Sequence, residues 1–288
     1  MIPIDNLTEQ LKALAKKAFS ADGIELLIGY QKGEDGISKP AVFRSPEEVE
    51  KLVWDNQSGF NLANLVHRFR DKKVGILAQG CISRSLVVLM NEGQLNRNQL
   101  VIIGFPCQGV LGRDGQLHSA CTSCQYPDPI VKDYLVEGTG ISNQSDPLLE
   151  LVKRIESQPM EERFALFAQE MAKCIRCYAC RQACPMCYCD VCFVDINIPL
   201  WLARTPDQQN NSVWNLTRIN HLTGRCVACG ACDRACPENV NLMYLIAKMN
   251  KEVKELFGYS AGLHLGDKPA LNTFQPNDPD FFWGKEGA

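Results

Sequence analysis

Cys174-Ile-Arg-Cys177-Tyr-Ala-Cys180-Arg-Gln-Ala-Cys184-Pro185 returns further along the chain as Cys226-Val-Ala-Cys229-Gly-Ala-Cys232-Asp-Arg-Ala-Cys236-Pro237. Both copies have the spacing C-x2-C-x2-C-x3-C-P, in which thiolates hold a cubane [4Fe–4S] cluster. Three sulfurs at short, even steps take three corners of a cube. The fourth, after a longer step, reaches the cluster of the other copy. The crossed pattern assigns Cys174, Cys177, Cys180 and Cys236 to one cluster and Cys226, Cys229, Cys232 and Cys184 to the other. Zinc sites favour two C-x2-C knuckles or cysteine with histidine, and disulfides suit short secreted chains. Neither pattern fits these runs.

The second part of the chain, residues 146–262, is therefore expected to be a mostly helical dicluster domain of the bacterial ferredoxin type, with an insert at 193–225. At 288 residues there is room for another domain, placed at 1–145, and for a tail at 263–288. Apolar content of 45% and charge of 22% are ordinary for a soluble globular protein, whereas fifteen cysteines are not. The opening Met1-Ile-Pro-Ile-Asp-Asn-Leu7 shows no basic region followed by a long apolar stretch. The cysteines then point to metal or redox chemistry in a reducing, cytoplasmic setting of an anaerobic cell. The longest apolar runs, such as Leu100 to Ile103, are strand-sized, so no membrane span is expected. The formal charge of −3 understates the acidity of the loaded protein. Each oxidised cluster with its four thiolates adds about −2. No basic footprint for nucleic acid is present.

Residues 1–145 read as an α/β domain with a small parallel sheet. Leu7, Leu11, Leu14, Ala15 and Phe19 follow helical spacing. Glu25 to Tyr30 and Ala41 to Phe43 are strand-like, with Gly33 to Gly36 as the turn between them. Ser45-Pro46-Glu47-Glu48 has the signature of a helix start, and a second helix is expected over Leu62 to Phe69. Lys73 to Ala78 is a buried strand ending at Gln79-Gly80-Cys81. Ser83 is placed to cap a helix closing near Gly93. Gln99 to Gly104 is a second buried strand, ending at Phe105-Pro106-Cys107-Gln108. A strand–helix–strand crossover makes the two strands parallel, with both exits at one sheet edge. Open α/β sheets bind ligands at that edge. Cys81 and Cys107 meet there, and Cys121-Thr-Ser-Cys124 lies in the loop that follows. These four form a candidate third [4Fe–4S] site, with glycines 80, 104, 109 and 112 admitting the backbone to it. The competing reading makes Cys81 and Cys107 small buried apolar residues and Cys121/Cys124 a redox or zinc pair.

In the second half, Leu148 to Ile155 is helical and Ser157-Gln-Pro159 opens a further helix. Its Met160, Phe164, Phe167 and Met171 are expected in the core, drying the approach to Cys174. Cys187, Cys189 and Cys192 follow the first Cys-Pro. They are open to three readings: part of a further cluster completed from elsewhere, a zinc site, or a lining of the first cluster. The insert carries Trp201, Trp214 and His221 and is expected to be loop. Arg176, Arg181, Arg225 and Arg234 lie near the cluster ligands, either favouring the reduced state or simply solvated. After Pro237, Leu242, Leu245, Ile246, Met249, Val253, Leu256 and Phe257 predict a helix that Gly258 ends. The tail bears Phe274, Phe281, Phe282 and Trp283, aromatics suited to a partner contact or to packing back on the chain.

Taken with Gly104-Phe-Pro-Cys-Gln108 and the Cys81 turn, the double run resembles the beta-subunit family of deazaflavin (coenzyme F-420) reducing hydrogenases and formate dehydrogenases. The stretches Cys177 to Cys189 and Leu256-Phe-Gly-Tyr-Ser-Ala-Gly262 are similar to shorter relatives beside heterodisulfide reductase-like complexes. The likeness covers most of residues 70–262. It implies an iron–sulfur subunit that relays low-potential electrons between a hydrogenase- or formate dehydrogenase-type catalytic subunit and a flavin- or heterodisulfide reductase-like partner. The larger family members place the cysteine runs ahead of the GxPCQ-like domain, the reverse of the order here, and carry FAD. This chain has no G-x-G-x-x-G, and its first 150 residues are short for a full flavin domain. FAD is thus not expected, and a subunit with its own FAD or deazaflavin site is the alternative reading.

Overall fold

The computed structural model describes residues 4–141, 143–196 and 198–270. Its first half is organised by a five-stranded sheet of order β2-β1-β3-β4-β5. The strands are β1 Leu26–Lys32, β2 Ser38–Phe43, β3 Val74–Ala78, β4 Leu100–Gly104 and β5 Tyr134–Leu135. β1 and β2 form an antiparallel hairpin, with Leu27 opposite Phe43. The remaining pairs are parallel, with Val74 beside Leu100 and Ala78 beside Gly104 in the central one. Every residue of β3 and β4 is buried, which is why both read as unbroken apolar runs rather than alternating ones.

The helices, in chain order, are α1 Ile4–Lys17, α2 Ala63–Val66, α3 Gly80–Asn91, α4 Ser119–Thr122, α5 Pro147–Glu156, α6 Met160–Ala172, α7 Ala179–Gln182, α8 Gln208–Leu222, α9 Ala231–Arg234 and α10 Met243–Phe257. Leu7, Leu11 and Ala15 of α1 are fully buried at helical spacing. Gly258, with φ 63°, ends α10 in the left-handed conformation expected of it.

Three expectations need correction. The Ser45–Glu48 start yields only a 3-10 turn over Glu48–Lys51. Leu52 already bridges to Gln31 on the sheet, so the chain has no length left for a helix. Ser83 is not a cap, because α3 begins three residues earlier. Its hydroxyl accepts from Val131 N at 2.9 Å and donates to Val131 O at 3.2 Å, tying the helix to the loop before β5. The start is set by Gly80, where a Cβ would fall 1.9 Å from the Tyr126 carbonyl oxygen. Finally, the insert is not loop throughout: α8 occupies fifteen residues of it.

The main core joins the sheet, α1 and α3 to Cys184, Met186, Leu222, Val227 and Ala261. A smaller one gathers Ala120, Leu148, Met171, Cys232, Val240, Leu242, Met243 and Ile246. Residues of both cysteine runs are thus built into apolar cores together with residues of the α/β half. On α6 only the C-terminal end is covered. Met171 is buried and Phe167 packs on the smaller core, while Met160 and Phe164 are exposed. Phe274, Phe281, Phe282 and Trp283 lie outside the described residues. Among the described residues no helix is long and apolar enough to cross a membrane.

Candidate metal centres

The two cysteine runs adopt one backbone. Arg176 and Tyr178 of the first have φ of 49° and 59°, and Ala228 and Gly230 of the second have 55° and 70°. Left-handed conformation at a non-glycine residue costs roughly 1–2 kcal/mol. It recurs here at matching steps because it turns successive N–H groups inward. Arg176 N donates to Cys174 Sγ and Ala228 N to Cys226 Sγ, each at 3.4 Å. A four-residue helix follows each loop, α7 in the first run and α9 in the second.

The crossed sets come together in space. Cys174, Cys177, Cys180 and Cys236 line one small void with Trp214, Val240 and Leu242. Val240 N donates to Cys236 Sγ at 3.4 Å. Burial pushes the Cys180 thiol up, and Cys174, Cys236 and Cys177 add to it while Arg218 opposes. In the second set, burial pushes Cys226 up to about 12, with Cys184 and Cys229 contributing. Cys232 is raised by burial and then by Cys184, Cys226 and Cys229.

The sheet-edge cysteines also converge. Cys81, in the first turn of α3, and Cys107, after β4, line a cavity of about 510 Å³ with Cys121 and Cys124. Cys226 and Cys229 of the second run face the same cavity, so the two groups adjoin. The loop at Tyr126-Pro127 fixes both strand exits, since Pro127 O accepts from Gly80 N and from Cys107 N. Gly109 N donates to Cys107 Sγ at 3.3 Å and Val110 N to Cys121 Sγ at 3.4 Å. Asn143 Nδ2 bridges the carbonyls of Cys121 and Cys124 at 2.8 Å each. Of the four glycines expected to turn N–H groups to sulfur, Gly109 does so. Gly80 and Gly112 instead bond to carbonyls, and Gly104 is held close under Pro129. Burial pushes the Cys107 thiol up to about 12.

Cys187, Cys189 and Cys192 diverge. Cys187 hydrogen-bonds Cys184, which holds Cys187 below and Cys184 above the ordinary thiol range. Cys189 is exposed, and Cys192 bonds Arg181. Among the expected arginines, Arg176 donates to Thr205 O, Arg181 pairs with Asp195, Arg225 with Glu92, and Arg234 holds the carbonyls of Gly59 and Cys229. They are engaged rather than simply solvated. His221 is exposed and lies edge-on to Phe193.

Sequence reasoning passed over three residues. His118 caps α4 through Nδ1 and reaches Asp233 Oδ2 with Nε2 at 3.1 Å, joining the sheet-edge loop to α9. Arg84 donates to the carbonyls of Ala261 and Val227 beside the same cavity. Arg218 is buried on α8 between the first two sets. It stands at helical spacing from Asn211, Trp214, Asn215 and Leu222, and a lone arginine in such a row was a readable signal.

These donor sets fit iron–sulfur clusters. They are sulfur-only and backed by N–H groups and apolar walls, and burial pushes up the thiols of Cys81, Cys107, Cys180, Cys226 and Cys232, whose ionisation then requires nearby positive charge. Among the described residues, no three His, Cys, Asp or Glu side chains gather as the ligands of one metal ion would. Thiolates around a cubane each take a different iron and stand further apart.

No family model matches the chain. Among curated proteins it is similar to the F420-dependent formate dehydrogenase subunit beta of Methanocaldococcus jannaschii, at 27% identity over 128 residues. That stretch is 43% of this chain and 33% of the relative, so the chain matches about a third of that protein's length. The match bears out the resemblance to beta subunits of this kind that the motifs carry.

Proposed function

We propose that the chain is an iron–sulfur electron-transfer subunit holding three [4Fe–4S] clusters in series. The observation that supports it most is the adjacency of the cysteine groups. Cys229 of the second set faces the cavity of the sheet-edge group, and Arg218 lies between the second set and the first. The second set is then the middle member, with the sheet-edge group on one side and the Cys174 group on the other. When bound, such clusters take up and release single electrons. Cys81, Cys107, Cys121 and Cys124 would hold one, Cys184, Cys226, Cys229 and Cys232 the next, and Cys174, Cys177, Cys180 and Cys236 the last.

The chain's own residues set the conditions. Backbone N–H groups at Gly109, Val110, Arg176, Ala228 and Val240 stabilise charge on sulfur. Trp214, Val240 and Leu242 give the first set an apolar wall, and the set stays open at Cys177. The division into an α/β domain at 1–145 and a ferredoxin-like domain at 146–262 belongs to the same reading. So does its place among the cytoplasmic subunits of an anaerobic redox complex. There it relays low-potential electrons between a hydrogenase- or formate dehydrogenase-type subunit and a flavin- or heterodisulfide reductase-like partner. The name of the Methanocaldococcus relative supports the formate dehydrogenase side.

One observation favours a second reading. The 510 Å³ cavity falls in the size range of small-molecule and cofactor pockets and is lined by Phe60, Tyr126 and Tyr259 beside the cysteines. A flavin there would make the chain an oxidoreductase subunit in its own right. Iron, acid-labile sulfide and absorbance of anaerobically prepared protein decide between them. We expect about twelve irons per chain, four for each cubane, and no flavin band. About eight irons would remove the sheet-edge cluster, and about sixteen would bring Cys187, Cys189 and Cys192 back as ligands. A colourless, zinc-loaded protein would overturn the reading altogether.

A further inference from the structure

α8 fills the insert between the two cysteine runs, and its buried face is Asn211, Trp214, Asn215, Arg218, Ile219 and Leu222. A guanidinium at the middle of such a face is costly unless its charge is answered. Arg218 is 2% exposed. Its protein bonds answer little of it. Nη2 donates to Cys180 O at 2.9 Å, while Nε and Nη1 are enclosed without a partner. The ionisable groups around it are thiols, Cys232, Cys184, Cys180 and Cys187, the last within hydrogen-bond reach, and neutral thiols do not answer a charge. Cys180 belongs to the first ligand set, and Cys184 and Cys232 to the second. Asn211 and Asn215 on the same face have bonds of their own, Asn211 to the carbonyls of Met171 and Cys174 and Asn215 to Asn211 O. They do not pair with Arg218.

We infer that Arg218 is the shared countercharge of these two centres, a positioning residue whose unpartnered N–H groups serve sulfur on both sides. Its charge draws both reduction equilibria towards the reduced state. Arg176 and Arg234 also carry enclosed N–H groups without a partner, but neither faces both ferredoxin-type sets. Arg234 is turned to the sheet-edge cavity and Arg176 to Thr205. The inference rests on the cluster reading proposed above.

The test is an EPR-monitored redox titration of wild-type protein, Arg218→Gln and Arg218→Lys, all prepared anaerobically. Wild-type iron content and signals come first, because their absence would sink the cluster reading itself. Given wild-type clusters, Arg218→Gln should shift the reduction equilibria of both ferredoxin-type centres tenfold or more towards the oxidised form. Tenfold corresponds to 59 mV for a one-electron couple. The sheet-edge centre should not move, and Arg218→Lys should hold both potentials near wild type. A shift in one centre alone, in neither, or in all three alike would overturn the inference, as would Lys behaving like Gln. If Arg218→Gln does not retain iron, loading of Arg218→Lys decides. Full loading with unshifted potentials supports a requirement for charge, and failure of both variants makes Arg218 a packing residue.

Discussion

Tyr178 and Gly230 occupy the same step of the two cysteine runs, share a left-handed backbone and meet different surroundings. Tyr178 stands edge-on to Trp214, in a loop where Cys177 and Ile175 are exposed. Gly230 is wedged against His118 and Ala120 of the α/β half, beside Cys232, which is buried. After the Cys-Pro step the first run continues Met186-Cys187-Tyr188 and the second Glu238-Asn239-Val240. Equal spacing thus produces equal ligand loops. What differs is the wall around each loop: the second is closed in by His118 and Ala120, and the first is open at Ile175 and Cys177.

The largest expected effect follows from position in the series. Cys232→Ala removes an interior ligand, so it should lose one cluster's worth of iron and also uncouple the two outer centres. With a reductant that feeds the sheet-edge group, the outer signal of the Cys174 set should then appear at least a hundredfold more slowly in rapid-freeze EPR. Cys177→Ala should lose the outer signal and leave the other two reducible at the normal rate. Equal effects from both variants would break the comparison.

Cys187 and Asn239 are the next pair, each three residues past the cysteine of its Cys-Pro. Cys187 hydrogen-bonds Cys184, the crossed ligand of the proposed second cluster, whereas Asn239 has a left-handed backbone, φ 51°. If the runs are equivalent in ligation, Cys187→Asn should retain all iron, and Cys184→Ser should lose about four irons per chain. The reverse result would reassign the ligand within the first run.

How much of this was legible follows the range of each signal. β3 and β4 were readable to within a residue because buried parallel strands are apolar at every position. The convergence of Cys81, Cys107, Cys121 and Cys124 on one cavity was readable because a crossover fixes which edge both exits share. Ser83 misled, since its hydroxyl serves Val131, forty-eight residues away, and the start of α3 is set by contact between Gly80 and Tyr126. β5 has two residues and little pattern to detect. α8 was missed because a position between two metal-binding runs was allowed to outweigh the periodicity of Asn211, Trp214, Asn215, Arg218 and Leu222. Polar residues on that buried face hid it from an apolar count.

Stability variants sharpen the comparison on a smaller scale. At Gly230 a Cβ would lie 2.7 Å from His118 Cε1 and 2.8 Å from Ala120 Cβ. Gly230→Ala should therefore cost about 2–3 kcal/mol from backbone strain and overpacking combined. The apparent Tm should fall by several degrees in anaerobic thermal melts. Tyr178→Gly relieves about 1 kcal/mol of left-handed strain and forfeits an aromatic contact of about the same size, so its Tm should hardly move.

The last comparison belongs to Tyr188, whose counterpart in the second run is the buried Val240. Its hydroxyl donates to Glu92 Oε2 at 2.7 Å, and Arg225 Nη2 donates to the same oxygen at 2.8 Å. Burial, then the bond to Glu92, pushes the Tyr188 phenol up to about 12. The sign follows from the raised value: the folded protein holds this proton more tightly than the unfolded chain does. The phenol's contribution is complete below pH 10 or so, the ordinary tyrosine value, and fades as pH rises towards 12. Tyr188→Phe should lower stability by roughly 1 kcal/mol at neutral pH, after discounting for partial exposure. The deficit should shrink between about pH 10 and 12, where wild type loses the same bond. No deficit at neutral pH would mean that Tyr188 acts by packing its ring on Arg225 and His67, and that this step of the two runs differs in shape rather than in hydrogen bonding.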